Sequence, residues 1–299
     1  MPEQPPRQTK LTRAGRYLAG VLKENGKPVL TQFEFCRIIH QMYRERAGKR
    51  LYLRRSTLRH EGYARLKSSL QKASVIQPDP DYKRNILRVM AISDLPAENI
   101  TCLVDPTCYL SHLSAMQRWG LTNRSPNALI LTRPDRKTVS DQLRATMKAL
   151  DKDKTNLFKL EVVGHPPRVR NRAVRVYQSK TAGAFLKIRG DDARLSTIGQ
   201  TFLDMLQKPD LCGGMSHVLD VWEEYAETYL EEIVAAVDTA TSGRVKSRAG
   251  YILEERLGLH HPRIEPWEDF SQRGGSRKLD PAKDYAGIYS EKWMISLNV

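Results

Sequence analysis

Ser56-Thr-Leu-Arg-His-Glu-Gly-Tyr-Ala-Arg-Leu-Lys-Ser-Ser-Leu-Gln-Lys-Ala73 and Val75-Ile-Gln-Pro-Asp-Pro-Asp-Tyr-Lys-Arg-Asn-Ile-Leu-Arg-Val89 decide how the first ninety residues fold. In the first stretch Tyr63, Leu66, Leu70 and Ala73 recur at three- and four-residue spacing, which draws one apolar stripe down a helix. Ser56 or Thr57 can cap its start. The other face carries Arg59, His60, Arg65, Lys67 and Lys72. In the second stretch the period changes. Val75 and Ile76 run into the turn chemistry of Pro78-Asp-Pro-Asp81, and Ile86–Val89 resumes an extended run. The two halves read as a two-stranded ribbon with Lys83 and Arg84 at its tip.

Working outward, Leu11, Ala14, Leu18, Val21 and Leu22 predict a helix over residues 9–24, stopped by Asn25-Gly26 and Pro28. Thr31 and Glu34 form a capping-box pattern that opens a second helix. Its inward set is Phe35, Cys36, Ile39, Met42 and Tyr43, and Gly48 is its stop. Leu51-Tyr-Leu53 reads as a short extended piece. Three helices closed by a basic ribbon is the winged helix-turn-helix order. A helix fits the major groove with its first turns at the base edges, and the ribbon can follow the phosphate backbone. Arginine suits both tasks because its planar fork bonds guanine or clamps phosphate. The candidate DNA-binding residues are therefore Arg54, Arg55, Arg59, His60, Arg65, Lys67, Lys83 and Arg84. The interval between the second and third helices exceeds the usual three or four residues, so residues 46–56 hold an insertion or an extra strand. A basic helical bundle whose charges only solvate a surface is the competing reading.

Charge favours the first of these. The 299-residue chain nets +15, from 49 basic and 34 acidic residues. Residues 1–90 net +13, 91–117 net −3, 118–190 net +12 and 191–299 net −7. A surplus so placed points to a polyanionic partner, and nucleic acid is the commonest. An apolar fraction of 40% excludes wholesale disorder. No apolar run approaches the roughly 20 residues that span a bilayer. The start lacks the apolar segment of a signal peptide. Four cysteines with no export signal read as reduced thiols, and the expected location is the cytoplasm.

Beyond residue 92 a larger mixed α/β domain is expected over 93–299, giving an α+β chain of two domains. Residues 91–105 read as a connector marked by Ser93-Asp-Leu-Pro96. Asp105-Pro-Thr107 caps a helix that runs through Trp119 and ends at Gly120. Extended runs are read at 128–131, 160–163, 174–177 and 185–188, with a partly helical stretch over 133–157. Helices follow at 198–207, 216–238 and 245–257, and 292–298 is strand-like.

No catalytic constellation emerges, and no cofactor or metal is expected. There is no phosphate-cradling glycine loop that ends in Gly-Lys-Ser/Thr. The cysteines at 36, 102, 108 and 212 form no Cys-x-x-Cys pair. Cys108 and His112 would share a helix face, but two ligands do not complete a zinc site. Gly274-Gly-Ser276 with Asp280 and Asp284 approaches a nucleotidyltransferase pattern. That chemistry needs carboxylates alternating on one strand, whereas Asp280-Pro281 forms turns.

Asp105-Pro-Thr-Cys-Tyr-Leu-Ser-His-Leu-Ser-Ala-Met-Gln-Arg-Trp-Gly-Leu121 resembles the signature helix of AbiEi-type antitoxins of type IV toxin–antitoxin and phage-defence operons. Ser196-Thr-Ile-Gly-Gln-Thr-Phe-Leu-Asp204 with Pro209 and Gly213-Gly214, then Lys246-Ser-Arg-Ala-Gly-Tyr-Ile-Leu253, agree in kind and order. The resemblance implies a transcriptional autorepressor that binds operator DNA with repeats. It also implies an antitoxin that counters a nucleotidyltransferase-type toxin, with or without direct contact. Two other readings remain at this point: a nucleic-acid-processing enzyme delivered by its winged head, and a transcription factor whose larger domain senses a ligand or dimerises.

Overall fold

The computed structural model describes residues 10–45, 51–53, 57–150, 157–180, 183–271 and 277–299, with only the backbone of Arg84. In chain order the elements begin with α1 (Arg13–Glu24), β1 (Val29–Thr31), α2 (Gln32–Arg44), α3 (His60–Lys72), β2 (Ile76–Asp79) and β3 (Lys83–Val89). Next come α4 (Ala97–Val104), β4 (Tyr109–Leu110), α5 (His112–Arg118), β5 (Leu129–Pro134), α6 (Arg136–Leu150), β6 (Arg168–Val169), β7 (Arg172–Ser179), β8 (Phe185–Lys187) and β9 (Arg194–Ser196). The chain closes with α7 (Ile198–Gln207), α8 (Met215–Tyr225), α9 (Leu230–Asp238), α10 (Gly243–Gly250), β10 (Tyr289–Ser290) and β11 (Ile295–Ser296). The fold is mixed α/β, with helices and several sheets.

Packing divides the chain into two units. The first is residues 1–107 with 134–174, and the second is 108–133 with 175–299. The division therefore does not fall at the expected 92/93 boundary. Residues 93–107 and 134–174 pack with the head instead. The expected connector over 91–105 contains α4, whose Ile100, Cys102 and Val104 are buried.

In the first unit the capping box forms as its residues dictate. The Glu34 backbone N–H donates to the Thr31 hydroxyl at 3.1 Å, and the Thr31 N–H donates to the Glu34 carboxylate at 2.9 Å. Leu18, Leu22, Phe35, Ile39, Leu70 and Ile86 are essentially fully buried, and most of them meet in one core. The ribbon closes with β1 as a third strand, in the order β1-β3-β2 and antiparallel throughout. The expected extended piece at Leu51–Leu53 is absent: Leu51 is helical and Tyr52 turns with φ 53°.

The second unit's sheet is built around β4. Tyr109 and Leu110 pair antiparallel with β5 on one side, and Leu110 pairs parallel with Leu195 of β9 on the other. This overturns the single helix expected from Asp105 to Trp119. A buried apolar pair fits either period, and the two flanking strands decide it. The helix starts only at His112, which removes Cys108 from any shared helix face. The strand expected at 160–163 is likewise absent. The long helix expected over 216–238 breaks into α8 and α9, so that Phe202 meets both Trp222 (ring centroids 5.3 Å apart) and Tyr229 (6.1 Å). The helix expected over 245–257 holds to Gly250 and then widens to π-helical geometry over Tyr251–Arg256. Trp222, Trp267 and Trp293 are fully buried here, each burial contributing roughly 1.5–3 kcal/mol.

Two glycines from the quoted motifs mark close approaches. A Cβ on Gly199 of α7 would lie 2.1 Å from the Glu232 carbonyl oxygen of α9, and one on Gly250 would lie 2.3 Å from the Trp293 ring. Both positions hold glycine for packing.

Candidate nucleic-acid interface

On α3 the side chains of Tyr63, Leu66 and Leu70 point into the core. With about 100° of rotation per residue, Glu61, Arg65, Ser68 and Lys72 face the opposite way, while His60 and Lys67 sit on a flank. Arg59, His60, Arg65 and Lys72 are exposed, as that geometry requires. The helix begins at His60, with Arg59 as its unassisted N-cap, so Thr57 does not cap it. Ser56 lies outside the described residues, as do Arg54 and Arg55. The side chain of Arg84 does too.

Two of the candidates have partners within the protein. Lys67 is half-buried and donates from Nζ to the Gln32 side-chain oxygen at 3.0 Å. Burial lowers its pKa from the ordinary lysine value. His60 packs edge-on against Phe158, with ring centroids 6.2 Å apart. Arg59 and Arg65 keep their guanidinium groups on the surface.

The ribbon is held by residues that sequence reading passed over. Val169 and Arg172 pair across a two-residue hairpin in which Arg170 (φ 48°) and Asn171 (φ 63°) are both left-handed, as a tight type I′ turn requires. That turn presents the Arg170 guanidinium to the ribbon's acids. It bonds Asp79 through both arms (2.7 and 3.2 Å), reaches Asp81, and stands 3.0 Å from Asp94. Burial opposes its charge, but the bonds to Asp79 and Asp81 outweigh that and raise its pKa above the usual value. A second tie joins the Tyr82 hydroxyl to His165 Nδ1 at 2.7 Å, with His165 Nε2 3.4 Å from Asp105. Asp105 also accepts from the Thr107 N–H and hydroxyl, and its pKa is lowered despite burial. The acids of the ribbon turn are thus neutralised, and Lys83 stands exposed beside them with φ 54°. Only the acid-rich Pro78-Asp-Pro-Asp81 turn hinted at such a partner. No local pattern names an arginine 89 residues away.

The division into units sharpens the charge argument. Counted over the sequence, the first unit holds 30 Lys/Arg against 15 Asp/Glu, and the second holds 19 of each. The whole net charge of +15 therefore belongs to the unit that contains α3 and the ribbon. Part of the basic 118–190 stretch joins it through α6, where Arg136, Lys137, Arg144 and Lys148 are exposed.

The nucleotidyltransferase-like residues do not assemble. Asp280 is buried and accepts from the Ala282 N–H at 2.9 Å, a turn-forming contact, while Asp284 is exposed. Among the described residues neither belongs to a group of three potential metal ligands. Gly274, Gly275 and Ser276 lie outside the described residues. Among the described residues no helix is long and apolar enough to cross a membrane.

No family model matches the chain, and neither does any curated protein. Among solved structures it is similar to the crystal structure of the RV2827C protein from Mycobacterium tuberculosis. The TM-score is 0.52 at 10% sequence identity, covering 97% of this chain and 94% of that one. The likeness is one of fold.

Proposed function

We propose that the chain is a DNA-binding protein whose first unit is a winged helix, with α3 in the major groove and the β2–β3 ribbon against the backbone. The observation that carries this reading is the confinement of all net charge to that unit. The order helix, strand, two helices and ribbon supports it, and so does the exposure of Arg59 and Arg65 on α3. The resemblance to AbiEi-type antitoxins extends the reading: the protein represses its own operon in the cytoplasm and counters a nucleotidyltransferase-type toxin, without catalysis of its own.

The test is binding to a duplex from its own promoter and to a scrambled duplex, followed by fluorescence anisotropy over a salt series. The promoter duplex binds more tightly, and both affinities fall steeply with salt as counterions are released. Equal affinity for the two duplexes overturns the repressor reading. Failure of co-expression to rescue cells from the neighbouring gene product overturns the antitoxin reading alone.

A further inference from the structure

The second unit holds a partly open cavity of about 500 Å3, within the range of small-molecule pockets. Tyr109, Thr132, Tyr177, Gln200 and Asp204 are among its lining residues, with hydroxyls from Thr241 and Ser242 at one side. Among the described residues no lysine, arginine or histidine lines it. Its one carboxyl group, on Asp204, is nearly inaccessible. Gln200, one helical turn earlier on α7, donates to Oδ1 at 2.7 Å. Oδ2 is buried and has no hydrogen-bond partner among the described residues.

A buried carboxylate is costly unless paired with a cation and hydrogen-bonded. This one is bonded by Gln200 and the His112 backbone N–H, and among the described residues no cation pairs with it. Two tyrosines stand in the same wall: the Lys208 ammonium already lies 5.8 Å from the Tyr177 ring centroid, which shows that ring's attraction for a cation, and Tyr109 stacks on Phe185. We propose that the cavity binds a small organic cation, an alkylammonium or guanidinium group that pairs with the Asp204 carboxylate. The site is independent of the nucleic-acid reading and survives its failure.

The neighbours of Asp204 keep the test clean. Burial raises its carboxyl to about 7, against the lowering effect of Gln200 and the His112 backbone N–H. On α5, burial and then the charges of Arg175 and Lys208 lower His112 to about 4. Burial raises the Tyr109 phenol on β4 and, after α7, the Cys212 thiol. Between about pH 6 and pH 8 Asp204 alone among these changes charge.

Calorimetry with agmatine, putrescine and the uncharged 1,4-butanediol reads the proposal directly. Agmatine or putrescine binds and the diol does not. Affinity rises about tenfold from pH 6 to pH 8, as the ionised fraction rises. Asp204→Asn loses at least tenfold and flattens the pH profile. Glu227→Gln, which removes an exposed carboxyl of the same unit away from the cavity lining, keeps both the affinity and the profile. Binding of the diol as tight as the amines, a cation affinity that falls with pH, or no cation binding by the wild-type protein overturns it.

Discussion

Arg170 grips Asp79 through two parallel hydrogen bonds, from a hairpin turn to the ribbon 91 residues earlier in the chain. Asp79 is fully buried and Arg170 nearly so. Removing one partner of such a pair leaves the other charge stranded, at about 3 kcal/mol. Arg170→Ala is therefore expected to lower stability by about that amount in urea unfolding. Arg170→Lys recovers only part of it, because an ammonium cannot bond both carboxylate oxygens in parallel. The alanine variant also frees carboxylates at the ribbon turn, so its duplex affinity falls further than its stability accounts for at low temperature.

Arg65 and Lys67 lie two residues apart on α3 but face different surroundings. Arg65→Ala is expected to cost about 1–3 kcal/mol of duplex affinity and to relax selectivity, as for a base-reading side chain. Arg59→Ala behaves alike. Lys67→Ala mainly removes the bond to Gln32 and moves the unfolding midpoint more than it moves binding. Anisotropy and unfolding measured on the same preparations separate the two. If both variants lose affinity equally, the helix does not present the face described.

Asp204 sets a pH dependence of stability. Its folded pKa, about 7, lies above that of the unfolded chain, so between about pH 4 and 7 the folded state holds the extra proton. Stability is then fully present at the acid end of that window. It falls as pH rises, by at most about 1.4 kcal/mol per unit. The melting temperature of the wild-type protein should drop from about pH 5 to pH 7.5, and Asp204→Asn should flatten the slope. Asp105, whose pKa is lowered, stays ionised across this range and contributes no slope there.

What the sequence reveals and what it hides separate along physical lines. The capping box at Thr31 and Glu34, the stripe of α1 and the span of α7 are local, fixed by side chains within one or two turns, and they are legible. The Tyr109-Leu110 strand is not, because two buried apolar residues carry no period and only β5 and β9 decide their state. The candidate interface divides in the same way. Arg59 and Arg65 follow from helical spacing, whereas Arg170 meets Asp79 only through the tertiary fold, and Lys67 is drawn inward by Gln32 from another helix. Asp204 stands in the Ser196–Asp204 motif, yet nothing beside it in sequence shows that one of its oxygens has no hydrogen-bond partner among the described residues.

The glycines of the quoted motifs give the sharpest packing test. A methyl group at Gly250 would have to displace the Trp293 ring, which is fully buried, and one at Gly199 would press on the α9 backbone. Overpacking of this kind costs about 1–3 kcal/mol, occasionally more, and backbone yields less readily than a side chain. Gly199→Ala is accordingly the more damaging of the two. Gly20 of α1 is the control, since nothing lies within 4 Å of a Cβ there and alanine favours a helix. Gly20→Ala should stabilise by up to about 1 kcal/mol. Trp293→Leu removes the ring atoms that Gly250→Ala would strike, so the double variant should lose less than the two single losses combined. Additive losses would mean that the ring is not what holds position 250 to glycine.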